Sequence, residues 1–451
     1  MKRNLLWTAL ALAVLLLLGS IFGFRVWLRQ YLASEAFRQR LDGQVSRIVG
    51  ANGEFTPLAV DSLDSIYADS FIARDGAVFD RFQADQIRAD LHFGFLARTA
   101  VLERLEVARV QARLADPSNR PASSAAPPSA SPAPGSRWMT SFSLRQAVIQ
   151  QFDLSWLGGR VEGAYLQITP SGSAPGEWLF EGSRGKVVTE VGPEWRVESF
   201  SGRQRGDAFY LHQARLRSGE RGEGTLEGTF ALGRPPEARA TFSGVELAPL
   251  LPGDWRARLT GQLAGKITLK GAPGEGGVSV ASGEFTLSDG KLHAFPFLEQ
   301  VATITRTERF RRVELHEARA QVTQLGRPGD VRIEHLVVES NGLFKVEGEL
   351  TLREGKIDGV VQLGVTPASL EWIPGAESKV FTASREGYLW TPVRLSGSAA
   401  HPQEDLSARL AQAAVNQTVE SVPENVRGTL KDAIDTVAPL LPVPIPSLPG
   451  L

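Results

Sequence analysis

The chain contains no cysteine and only two methionines in 451 residues. Without cysteine there is no disulfide framework, no thiolate metal site and no thiol nucleophile, a composition that suits an oxidising compartment. An excess of charge is missing too. Forty-nine Lys and Arg stand against 50 Asp and Glu, for a formal net charge of −1, and no long single-sign run breaks the balance. Proteins that bind nucleic acid usually carry a basic domain or stripe, so nucleic acid is excluded as a partner class.

Groups arranged for chemistry are equally scarce. The six histidines, His92, His212, His293, His316, His335 and His401, never fall at metal-ligand spacing, and no H-E-x-x-H occurs. Ser183-Arg-Gly-Lys186 satisfies S-x-x-K, but it lies in a Gly-rich turn between strand-like runs, where no helical turn would bring the lysine onto the serine. Gly222-Glu-Gly224 and Gly274-Glu-Gly-Gly277 lack the βαβ setting and the lysine of a phosphate-binding loop and read as tight turns. Nothing singles out two of the 50 acidic residues as an acid and a base. The expectation is a non-enzyme with no catalytic, cofactor or metal site.

One long apolar run is present. Leu5 to Phe24 holds 20 residues without a charge, and a helix rising ~1.5 Å per residue crosses the ~30 Å hydrocarbon core in that length. A cleaved signal peptide needs a shorter apolar region followed at once by small residues, whereas Phe24-Arg25-Val26-Trp27 follows here. Residues 5–28 therefore read as an uncleaved transmembrane anchor, with 1–4 cytoplasmic. Lys2 and Arg3 on one side face Arg25, Arg29, Arg38 and Arg40 on the other, so charge counting alone does not set the orientation.

Phe37, Leu41, Val45 and Ile48 then recur at helical spacing among charged residues and predict an amphipathic helix. It either caps one end of a β core or lies along the bilayer surface. From Leu58 onward the pattern changes to short alternating runs such as Gln86–Phe93 and Leu102–Leu114, with 45 glycines supplying turn signals. Residues 29–115 thus form the helix and a first β segment. The stretch 116–136 is almost wholly Pro, Ala and Ser and predicts a disordered loop inserted at a strand connection. Strand-like runs fill 137–402, with a helical turn over Ala294–Val301. Helical spacing returns over 403–440, interrupted at Pro423, and 441–451 is a Pro-rich extended tail.

Within the β region two stretches repeat at an offset of 120 residues. Gly222-Glu-Gly-Thr-Leu-Glu-Gly228 aligns with Gly342-Leu-Phe-Lys-Val-Glu-Gly348, and the segment from Gly244 to Gly253 with that from Gly364 to Gly375. Repetition of strand-like runs points to an extended β architecture built by duplication. The strands offer a sheet with one apolar face and little helical sequence to cover it. Two packings stay open on this pattern alone: a closed sandwich core, or an open trough whose apolar face suits acyl chains.

Gly290–Val301, Arg309–Ala318, Leu336–Gly348 and Gly397–Leu406 resemble the carboxy-terminal region of AsmA-like proteins, and the anchor, short helix and Ala84–Leu91 leading to Leu102–Val107 resemble their amino-terminal arrangement. The resemblance implies a single-pass bacterial inner-membrane protein with its bulk in the periplasm, shaped as a curled, elongated repeating-β groove related to bridge-like lipid-transfer proteins. It implies membrane phospholipids and envelope proteins as partners, and a role in phospholipid transport or outer-membrane homeostasis. It names no catalytic residue. Groove candidates are Leu336, Val338, Phe344, Val346 and Leu350. The alternative is an assembly factor for envelope proteins that acts through exposed β edges without transferring lipid.

Overall fold

The computed structural model describes residues 30–420 apart from 63–64, 77, 95–98, 116–140, 173, 175, 191, 207, 232–235, 252–254, 271–279, 294–310, 326, 328, 372, 374 and 399–401. The anchor over 5–28, the loop over 116–136, the helical turn at 294–301 and the chain after 420 lie outside these residues. Among the described residues no helix is long and apolar enough to cross a membrane. The protein is mainly β, as expected, and divides into two units, Met1–Leu216 and Arg217–Leu451.

The first unit opens with α1 (Glu35–Val49) and continues through β1 (Asn52–Phe55), β2 (Ala59–Ser62), β3 (Ser65–Arg74), β4 (Phe79–Gly94), β5 (Thr99–Leu114), β6 (Ser141–Leu144), β7 (Ala147–Trp156), β8 (Gly159–Pro170), β9 (Glu177–Ser183), β10 (Lys186–Thr189) and β11 (Trp195–Arg205), with β12 (Ala208–Ser218) after it. The predicted amphipathic helix is α1. Ser34 caps it by accepting the Phe37 N–H at 3.3 Å, and Gly50 ends it in the left-handed conformation at φ 71°, the usual start and stop devices. Phe37 and Val49 are buried, and Val45 packs on the core formed by Ala68, Phe71, Ala84, Ile87, Val107 and Val110.

Several of those core residues sit three apart on one strand, which strict alternation would place on opposite faces. Ala84 and Ile87 both turn inward because Gln86 between them adopts φ 52°. The break is shared by register: Ile87 pairs with Ala68 and Val107, and Ala84 with Phe71 and Val110. All three strands therefore change face at one level.

Among the described residues, pairing is antiparallel except along one side of β5. β5 runs parallel to both β6 and β7, and a parallel neighbour requires a crossover of a dozen or more residues to carry the chain back. β5 ends at Leu114 and β6 begins at Ser141, which leaves a length of sequence sufficient for such a connection.

The second unit contains β13 (Gly222–Ala231), β14 (Glu237–Glu246), a 3-10 turn (Ala248–Leu250), α2 (Trp255–Arg258), β15 (Leu259–Lys270), β16 (Val280–His293), β17 (Arg312–Leu315), β18 (Glu317–Gln324), β19 (Val331–Ser340), β20 (Phe344–Arg353), β21 (Lys356–Val365), α3 (Pro367–Leu370), α4 (Ala376–Lys379), β22 (Ala383–Arg385), β23 (Tyr388–Gly397), β24 (Pro402–Glu404) and α5 (Leu406–Glu420). The sequence repeat is also a structural one. β13, β14, the 3-10 turn and α2 recur in the same order as β20, β21, α3 and α4, and all four of those strands are ten residues long.

One turn assignment needs correction. Gly222 and Gly224 lie inside β13, and the chain reverses before them, over Gly219–Arg221. A Cβ at Gly222 would lie 2.4 Å from the Ser218 carbonyl oxygen, and Gly224 stands opposite the bulky Phe242. The glycines are there for close approach rather than for turning.

Candidate functional site

Residues directly paired across a ladder share a face of the sheet, so the register alone sorts the second unit into two surfaces. One unbroken line of pairs runs Leu226, Ala240, Ile267, Gly283, Val322, Ile333, Leu350, Gly359 and Leu395 through nine strands. Every member is apolar. The adjacent line runs Glu227, Arg239, Thr268, Ser282, Thr323, Arg332, Thr351 and Asp358. Every member is polar. At ~4.8 Å between strands, the apolar line is about 38 Å long.

Bulges keep this separation intact. In β19, His335 takes φ 51° and the register slips between Ile333 and Leu336, so both of those side chains face the apolar side. An extra residue bends its strand and re-aims the side chains after it. His335 itself turns to the polar side, where its Nδ1 lies 3.0 Å from Gln321 Oε1.

The apolar line is neither buried nor fully exposed: all nine residues are half-buried. Two aromatic rings add to this face. Gly265 sits between Phe242 and Phe285, whose centroids are 6.2 Å apart, and a Cβ on it would meet the two rings at 2.9 and 3.0 Å. Phe242, Gly265 and Phe285 thus lie on the same face as the apolar line.

At the carboxy-terminal end this surface is covered. Leu370, Ala376, Val380, Phe381, Leu406 and Ala413, from α3 to α5 and the segment between them, bury themselves against Val361 and Val393. Among the groove candidates, Leu336, Val346 and Leu350 pack partly buried against this cluster, while Val338 and Phe344 are half-buried on the same face. The register brings all five to one side, but three of them serve the end closure. Outside that cluster the same face is formed by residues such as Ile267, Phe285 and Val322, on strands to which the sequence reading assigned no inner face. The alternation in Leu263-Ala-Gly-Lys-Ile-Thr-Leu269 was their signal.

The opposite face carries an ion-pair network. Lys345 Nζ lies 3.1 Å from Glu386 Oε2, 3.2 Å from Glu347 Oε1 and 3.6 Å from Glu339 Oε2. Arg385 binds Glu347 and stacks on Trp390, 4.3 Å from the ring centroid. Hydrogen bonds donated to Glu386 and Glu347 hold the Lys345 ammonium well above its ordinary pKa. Burial pushes Glu347 up, but the bonds from Lys345 and Arg385 outweigh it and leave the carboxyl below its ordinary 4.5. A recess of about 380 Å³ opens nearby, lined by Arg332, Glu349, Thr351, Asp358 and Val360 over Gly348 and Gly359.

Ser183 and Lys186 end one strand and begin the next, on either side of Arg184 and Gly185 at φ 64° and 82°, and Lys186 pairs with Glu194 at 2.9 Å. Among the described residues no three His, Asp or Glu are placed to hold a metal. Comparison with protein-family models, with curated proteins and with solved structures finds no match for the chain.

Proposed function

We propose that this chain is a membrane-anchored, periplasmic AsmA-like protein of the bacterial inner membrane that binds lipid acyl chains along the apolar face of its sheet. Its role in this reading is phospholipid transport or outer-membrane homeostasis. The observation that carries the proposal is the nine-strand line of half-buried apolar residues, backed by a line of wholly polar ones. A folded chain ordinarily buries such a face in a second layer, and a large contiguous apolar patch left open marks a binding surface. An acyl chain laid on it gains about 0.8 kcal/mol for each methylene removed from water. Among the described residues nothing couples to an energy source, so in this reading movement along the face is passive or driven by a partner.

The rival reading, an assembly factor working through free β edges, has less support. Side chains already engage outward backbone groups of Gly53 and Phe55 on β1 and of Pro392 and Arg394 on β23.

The experiment is site-specific photocrosslinking in the full chain, with a photoreactive residue at Ile267 or Val322 on the apolar face and at Thr268 or Thr323 on the polar face. Lipid adducts identified by mass spectrometry are expected from the first pair and not the second. Adducts equal on both faces, or none, would remove the proposal.

A further inference from the structure

The first and last helices of the described chain treat a neighbouring strand in the same way. On β1, Asn52 and Glu54 alternate with Gly53 and Phe55 in the pairing to β3, leaving Gly53 and Phe55 pointing outward. Ser46 of α1 occupies both outward groups of Gly53: its Oγ accepts the N–H at 2.9 Å and donates to the carbonyl at 3.2 Å. Asp42, one turn earlier, accepts the Phe55 N–H at 2.7 Å. On β23, the stretch between its pairings with β22 and β24 offers the Pro392 carbonyl and the Arg394 N–H. Arg409 of α5 donates to the former at 2.6 Å, and Asp405 accepts from the latter at 2.9 Å.

The geometry matches for a general reason. Residues four apart on a helix rise about 6 Å, and residues two apart on a strand are about 6.7 Å apart. A helix laid along an edge thus meets alternate outward groups with side chains at i and i+4. Asp42 with Ser46 and Asp405 with Arg409 have that spacing. The remaining edge pieces are short: β22 and β24 have three residues each, β24 starts at Pro402, and β2 has four residues following Pro57. Short strands and prolines blunt an edge against further pairing.

We propose that α1, and α5 together with Asp405 just before it, are edge stops, each using two side chains one turn apart to occupy the positions at which a second copy of this chain would otherwise add a strand. The stop is independent of the lipid reading. A chain built from repeated antiparallel strands has the pattern that would keep pairing with copies of itself, and the helices end that pairing at β1 and β23.

The test uses the full chain in detergent micelles, as wild type, as the combined D42A/S46A/D405A/R409A variant, and as single D42A, D405A, D42N and D405N variants. Sedimentation velocity is expected to show the wild type and both asparagine variants, which keep an acceptor oxygen, as monomers, and the combined variant as dimers and larger species that grow with concentration. Hydrogen exchange is expected to run about tenfold faster at the Phe55 amide in D42A and at the Arg394 amide in D405A. The single variants decide the matter if the combined one does not fold. A folded combined variant that stays monomeric, or unchanged exchange at either amide, would overturn the proposal.

Discussion

Val338 and Val346 face each other across the β19–β20 ladder, yet only Val346 packs against the cluster beneath α3, α4 and α5. A charge at position 346 therefore lands in that cluster, whereas one at Ile267 lands on a half-buried position outside it. V346D is expected to lower stability by about 2–3 kcal/mol and I267D by about 1 kcal/mol. If the face binds acyl chains, I267D loses bound lipid while its urea midpoint stays close to wild type. Equal destabilisation by the two would mean that the apolar line is covered along its whole length.

Gly265 lies where two rings meet. A methyl group there would sit 2.9 and 3.0 Å from Phe242 and Phe285, so G265A forces one ring off its rotamer. The expected cost is about 1–3 kcal/mol, measured by urea denaturation. The double variant G265A/F285L, which frees space beside the new methyl, should recover part of it.

The β class, the amphipathic first helix and the 120-residue repeat were legible because each is written in local periodicity. The repeat stayed legible through its glycines: Gly228 and Gly348 both occupy strand interiors where a Cβ would meet the next strand's backbone at 2.6 and 2.8 Å. Which strands carry the apolar line was not legible. Alternation says that a strand has two faces, but only the register says which of them joins the neighbour's. Here a left-handed residue at Gln86 turns the strand over within an unchanged register, and another at His335 shifts the register, and neither residue type carries a sequence signature for that conformation. The covering of Leu336, Val346 and Leu350 depends on where the chain after Gly375 returns, a long-range contact that no local pattern encodes. The edge contacts were hidden for the same reason, since Asp42 and Arg409 read as the solvated side of amphipathic helices.

The Lys345 network should show in the acid limb of stability. Glu347 is held below its ordinary 4.5 in the folded protein. The stability it contributes is therefore present above that ordinary value and lost as pH falls through the lower folded one. In K345M the carboxyl loses its first hydrogen-bond partner while its burial remains, so its folded pKa rises. The urea midpoint of K345M, followed from pH 7 to pH 3, is expected to lie below wild type at pH 7 and to approach it as the pH falls. Parallel curves over the whole range would show that Lys345 packs without acting as a charge.

Asp42 has the opposite sign. Burial raises its pKa above the ordinary 3.8, and the Phe55 N–H only partly offsets this. A raised folded value means that Asp42 contributes stability below pH 3.8, lost as pH rises through the folded pKa. At neutral pH the ionised carboxylate is thus held in place at a cost, although it still accepts the edge amide. D42N keeps an acceptor oxygen for Phe55 and removes that cost, so it is expected to match or exceed wild type at pH 7 and to lose the advantage near pH 3. D42A removes the acceptor as well and should cost about 1 kcal/mol at pH 7. Thermal melts of the two variants at pH 7 and pH 3 check both statements. If D42N and D42A are destabilised alike at pH 7, the charge itself and not the acceptor holds the edge of β1.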